Sequence, residues 1–122
     1  MSILYFMKIL IIDDEIDLSL LLKSYFIRKN NEVTLAHSLS EGLRLLPEFQ
    51  PDVLVLDNNL PDGVGWKEAP NIARAHPSVF IYLVSAYHPS RPEMPLNARF
   101  KILEKPVSLK DFENYEQDVQ VV

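Results

Sequence analysis

The chain has 122 residues, 48% of them apolar, no cysteine and a net charge of −5, which suits one domain (residues 1–122, core 8–117) closing a single layered core. Lack of cysteine excludes disulfides and thiolate metal sites and fits a reducing, cytoplasmic setting. With no cluster of Lys and Arg in an acidic chain, nucleic-acid binding is not expected; nor is membrane insertion, because Lys8 and Asp13 interrupt the apolar N-terminus too soon.

In chain order, Lys8 to Ile12 holds a continuous apolar run, Ile9 to Ile12, that stops at Asp13-Asp14-Glu15, as a strand buried on both faces would. A helix follows, its apolar face drawn from Ile16, Leu20, Leu21, Leu22, Tyr25 and Phe26, with Asp14 or Asp17 as its cap, and Asn30-Asn31 closes it. Glu32 to Ala36 is a short strand. Ser38 to Glu41 has capping-box spacing for a helix to about Leu46, and Pro47 and Pro51 bracket the next loop. Val53 to Leu56 is a third buried strand, ending abruptly in Asp57 and turn residues.

After Gly65 a helix is expected to about Ala75, kinked or started late by Pro70. Val79 to Val84 ends at Ser85, and Arg99 to Leu103 ends at Lys105-Pro106, giving strands four and five. Between them three prolines fall within His88 to Pro95, and each interior proline costs a helix about 3 kcal/mol. A short or irregular connection is predicted there in place of a regular helix. Ser108 to Asp111 opens a last helix with Phe112 and Tyr115 facing inward.

Five strands alternating with helices imply a flavodoxin-like, doubly wound parallel α/β sheet. In the order 2-1-3-4-5 the ligand crevice lies outside the strands' carboxyl ends, between the first and third. Asp13, Asp14 and Asp57 would meet there, with Ser85 and Lys105 facing the same crevice. Carboxylates gathered in one cleft call for a cation, and hard oxygen ligands suit Mg2+ or Mn2+. A carboxylate beside such an ion is fit for phosphoryl transfer, the ammonium and hydroxyl steadying the moving charge. Taken singly, each residue has a plainer reading: helix caps for Asp13 and Asp14, a loop hydroxyl for Ser85, a solvated charge for Lys105.

The set resembles the receiver domain of the two-component response regulators. The resemblance rests on Asp13-Asp14, Asp57, Leu60-Pro61, Gly65, Ser85-Ala86 and Lys105-Pro106, over Lys8 to about Gln117. It implies that Asp57 accepts a phosphoryl group from a sensor histidine kinase or phosphotransfer protein and thereby alters binding to a downstream protein or effector domain. It also implies Asp14, Asp57 and the Asn59 backbone carbonyl as direct Mg2+ ligands, Asp13 acting partly through water, and Ser85 and Lys105 engaging the phosphoryl group. Tyr87 takes the position lining the route of attacking water. Such a domain assists its own phosphorylation and dephosphorylation without being a turnover enzyme, and a homodimer is compatible with it.

Two departures stand out. The family's switch aromatic, three residues before the lysine, is here Ile102; Phe100 shares its strand face but lies about 6.6 Å farther from the site. The proline-rich 88–95 segment replaces the usual fourth helix. Both favour, as an alternative, an interaction module that works without phosphorylation. An aspartyl-nucleophile phosphatase is disfavoured because Asn59 stands where a second Asp would serve as acid and base. His37, His76 and His88 share no ligand spacing and read as surface residues, and Trp66 reads as a packing residue.

Overall fold

The computed structural model describes residues 6–86 and 91–120. Strands β1 (Lys8–Ile12), β2 (Glu32–Ala36), β3 (Val53–Asp57), β6 (Phe80–Ser85) and β7 (Arg99–Glu104) form one parallel sheet in the order β2-β1-β3-β6-β7. The expected order 2-1-3-4-5 is therefore present. The numbering differs only because β4 (Asn59–Leu60) and β5 (Gly63–Val64) pair antiparallel as a separate hairpin in the loop after β3.

Strand alternation divides the interior in two. Leu10, Ile12, Leu54, Leu56, Ile81 and Leu83 face one core with Leu46, Trp66 and Ile72. These last come from α2 (Leu39–Phe49) and α3 (Gly65–Ala75). Ile9, Ile11, Val53, Val55, Tyr82 and Val84 face the other core with Leu22, Phe26, Phe112 and Tyr115. That side is covered by α1 (Ile16–Arg28), a 3-10 turn (Leu109–Phe112) and α4 (Tyr115–Gln120). Burial on both faces is why the three central strands read as unbroken apolar runs. Trp66 is buried in the first core, as a packing residue.

Several local expectations need correction. Helix α1 is capped by neither Asp14 nor Asp17: Glu15 is the N-cap residue, without a side-chain cap bond, and the Asp13 carboxylate instead accepts the Glu15 N–H at 2.8 Å. Ile16, Leu20 and Leu21 are about half exposed, because a single helix face has room for only part of that apolar set. Helix α2 does not stop at Leu46 but runs through Pro47 to Phe49. A proline in the last turn forfeits one helical bond near an end that is already fraying, and left-handed Gln50 (φ 52°) closes the helix with its N–H on the Leu46 carbonyl. Helix α3 starts at Gly65 despite Pro70. The last helix is split into the 3-10 turn, where the Asp111 carboxylate accepts the Ser108 N–H at 2.7 Å, and the six-residue α4.

No helix or strand forms over residues 91–98. Met94 and Ala98 pack against the first core with Phe100, and the Arg91 guanidinium lies 4.8 Å over the Phe100 ring. Tyr87 and His88 to Ser90 lie outside the described residues, so the expectations for Tyr87 and for that part of the proline-rich segment are not addressed by the fold.

Candidate functional site

The site is assembled at the carboxyl rim of the sheet, where β1, β3 and β6 end side by side. Asp13 follows β1 and is 1% exposed. Its N–H donates to the Ala36 carbonyl at 3.0 Å, extending the ladder to β2 by one residue. Its own carbonyl accepts from Ser19 Oγ (3.3 Å), a buried hydroxyl on α1. His37 Nδ1 lies 3.0 Å from the same oxygen; since a carbonyl only accepts, that contact requires the hydrogen on Nδ1.

Asp57 is the last residue of β3, opposite Val84 of β6. It too is 1% exposed. The chain beyond it is pinned: Asn58 donates its N–H to the Val84 carbonyl (2.9 Å), and the Asn58 carbonyl accepts the Gly65 N–H (2.9 Å). The Asn58 side chain accepts the Trp66 N–H at 3.2 Å. Gly65 is obligatory here, because a Cβ on it would fall 2.1 Å from the Asp57 carbonyl oxygen.

Ser85 ends β6, buried, and its carbonyl accepts the Lys105 N–H at 2.8 Å. Lys105 precedes Pro106 across a cis peptide bond. Its ammonium meets three carboxylates: Glu15 most closely, Asp13 Oδ2 at 3.4 Å and Asp57 Oδ2 at 3.5 Å. Ala86, Pro106 and Ile102 are exposed around this rim.

One oxygen each from Asp13, Asp14 and Asp57 lies within 4.8 Å of the others. Burial, followed by the repulsion of Asp13, pushes the Asp57 carboxyl up to about 6 against the pull of Lys105 and the Asn59 amide. Burial likewise raises Asp13. For Lys105, burial works against the charge, but Glu15, Asp13 and Asp57 outweigh it and raise its pKa. Three carboxylates thus share a single ammonium, and Asp14 adds a fourth negative charge beside Asp13 and Asp57, an arrangement that a dication relieves. Asp57 Oδ1 is moreover buried with no hydrogen-bond partner among the described residues, which fits an oxygen meant for a ligand outside the protein. An all-oxygen donor set of this kind suits a hard divalent cation.

The family described as response regulator receiver domain matches residues 9–115. The chain belongs to that family. Among solved structures, it is similar to a CheY-like receiver domain protein from Methanospirillum hungatei, at 22% identity over 94% of each chain with a TM-score of 0.81. The non-phosphorylated HemR receiver domain from Leptospira biflexa is 26% identical over 94% of this chain and 95% of that one, with a TM-score of 0.79. The response regulator TrrA from Thermotoga maritima, solved in complex with Mg2+ and BeF, is 23% identical over 92% and 97%, with a TM-score of 0.77. This is therefore a receiver domain of two-component signalling.

Against the residues singled out from sequence, the receiver fold brings together Asp13, Asp14, Asp57, Ser85 and Lys105 at one rim. Asn59 is exposed at the start of the hairpin. Ile102 is 42% exposed on the strand face shared with Phe100. Sequence reasoning missed three participants. Glu15 was legible only as the third member of an acidic run, yet it is the nearest partner of Lys105. Ser19 was signalled only as a polar break in an apolar stretch. His37, taken as a surface residue, is half-buried against Asp13.

Proposed function

We propose that Asp57 accepts a phosphoryl group from a phosphohistidine on a sensor kinase or phosphotransfer protein. The observation that carries this is a buried Asp57 carboxylate with one oxygen lacking a hydrogen-bond partner among the described residues and the other 3.5 Å from Lys105. A carboxylate oxygen of Asp57 forms a bond to phosphorus while the phosphorus–nitrogen bond to the donor imidazole breaks, its electron pair returning to the ring. Lys105 and the Ser85 hydroxyl then hold the phosphoryl oxygens. Asp13, Asp14, Asp57 and the Asn59 carbonyl would hold Mg2+, or Mn2+ in its place. When bound, the ion screens the carboxylates and neutralises charge on the transferring group. The Mg2+ and BeF complex of the Thermotoga regulator supports this choice of ion.

Domains of this family relay signals between kinases and effector domains, and the acyl phosphate would alter affinity for such a downstream partner. We place the chain in the cytoplasm as one receiver unit, residues 1–122 with core 8–117, able to form a homodimer. Among the described residues no helix is long and apolar enough to cross a membrane.

The test is incubation with acetyl phosphate and Mg2+, followed by intact mass measurement. Wild type gains one phosphoryl adduct and Asp57→Asn gains none; an equal adduct on both would remove the assignment. A second reading, partner binding that ignores phosphorylation, is favoured by exposed Ile102 and the helix-free 91–98 segment. It predicts that Asp57→Asn and wild type, with or without acetyl phosphate, bind the partner equally.

A further inference from the structure

The loop between β3 and α3 is folded into the small antiparallel hairpin Asn59↔Val64, Leu60↔Gly63. Its base is tied to the sheet through Asn58, and the Asn59 amide acts on the Asp57 carboxylate. Its tip, Pro61 and Asp62, is exposed, and two-residue strands cannot hold such a tip by themselves. What anchors it is a long-range contact. The Asp62 carboxylate accepts the Leu39 N–H through Oδ1 at 2.7 Å and the Ser40 N–H through Oδ2 at 2.8 Å. Both donors are first-turn amides of α2, an end that favours a negative charge.

The Ser40 and Leu39 amides accordingly hold the Asp62 carboxyl below its ordinary value. The helix has its own cap as well, Ser38 Oγ accepting the Glu41 N–H at 3.2 Å, so Asp62 is not needed to begin it. Next to Asp62, Gly63 lies so close to α2 that a Cβ would come 2.9 Å from Leu39 Cδ2. Hairpin and helix are thus fitted to one another.

We propose that Asp62 is a positioning residue: by bridging to the first turn of α2 it fixes the hairpin that presents the amide and carbonyl of Asn59 beside Asp57. The inference rests on the reading of Asp57 and Asn59 as the Mg2+ and phosphoryl site. Loss of Asp62 leaves every carboxylate of the rim in place and loosens only the loop segment that faces them.

The experiment titrates Mg2+ into the whole chain, following the backbone amide resonances of Asp57 and Asn59, for wild type, Asp62→Ala, Asp62→Asn and Ser38→Ala. Asp62→Ala should raise the Mg2+ midpoint about tenfold, the scale at which a supporting partner affects a metal site. Asp62→Asn, with one carbonyl oxygen left to accept, should fall between it and wild type. Ser38→Ala removes a cap from the same helix end and should lower the melting temperature while leaving the Mg2+ midpoint unchanged. An unchanged midpoint in Asp62→Ala, or an equal rise in Ser38→Ala, overturns the proposal and leaves the metal reading intact. If wild type shows no saturable shift, the metal reading fails and this proposal with it. Should Asp62→Ala not fold, an Asp62→Asn midpoint equal to wild type overturns the proposal in its place.

Discussion

The ends of β1 and β3 and the connection from β6 into β7 are built to different standards. At the ends of β1 and β3, Asp13 and the loop after Asp57 are held by named bonds. Asp13 is fixed through Ala36, Ser19 and His37, and the loop after Asp57 through Val84, Gly65 and Trp66. Between β6 and β7, by contrast, residues 91–98 form no helix or strand and Leu96 is fully exposed, and on β7 itself Ile102 is 42% exposed. Phosphoryl chemistry tolerates little displacement of its reacting atoms, whereas a surface that meets partners needs only a shape and can diverge. The chain holds its carboxylate cluster by fixed backbone partners in one region and leaves the other irregular and exposed.

The sharpest way to break this comparison is Gly65→Ala. The new Cβ would meet backbone, which cannot rotate aside as a flexible side chain can. A loss of about 3 kcal/mol is expected, near the upper end for overpacking, read from urea unfolding. A loss below about 0.5 kcal/mol would mean the rim is far less constrained than its bonds imply.

Next in size is the pH dependence of the carboxylate cluster. Asp57 titrates at about 6 in the fold against 3.8 ordinarily, so between those values the folded chain binds more protons than the unfolded one. The associated stability is complete below the ordinary value and is lost as pH rises through about 6. Two units correspond to about 3 kcal/mol at most. In chelator at about pH 8, Asp57→Asn should therefore melt higher than wild type, and the difference should close towards about pH 4. Thermal melts at the two pH values check this; a variant that melts lower at both would contradict the sign.

Smallest is Ile102→Ala. With 42% of its surface already in water, its truncation should change stability by no more than about 0.5 kcal/mol. A substantially larger loss would show that the β7 face is packed after all, and the contrast between the two regions would weaken.

Much of the fold was legible because the three central strands, buried on both faces, leave continuous runs such as Val53 to Leu56, each punctuated by a polar residue at the rim. The meeting of Asp13, Asp57 and Lys105 followed from that punctuation and from strand order. What stayed hidden depends on partners that only three dimensions supply. Nothing in Asp62 announces that it reaches the Leu39 and Ser40 amides, and two-residue strands leave no periodic trace. Pro47 misled because its helix-breaking effect is small in a last turn closed by Gln50. The half-exposed Ile16, Leu20 and Leu21 misled because apolar spacing reports what a face offers and not what its neighbours cover.

The central claim is that the buried carboxylate at the end of β3 takes the phosphoryl group, with a divalent ion held beside it. The most direct measurement treats the chain with phosphoramidate, with and without Mg2+, traps the acyl phosphate by borohydride reduction and maps the modified peptide. The account predicts modification at Asp57, dependent on Mg2+. Modification at Asp13, Asp14 or elsewhere, or an equal yield in chelator, would contradict it.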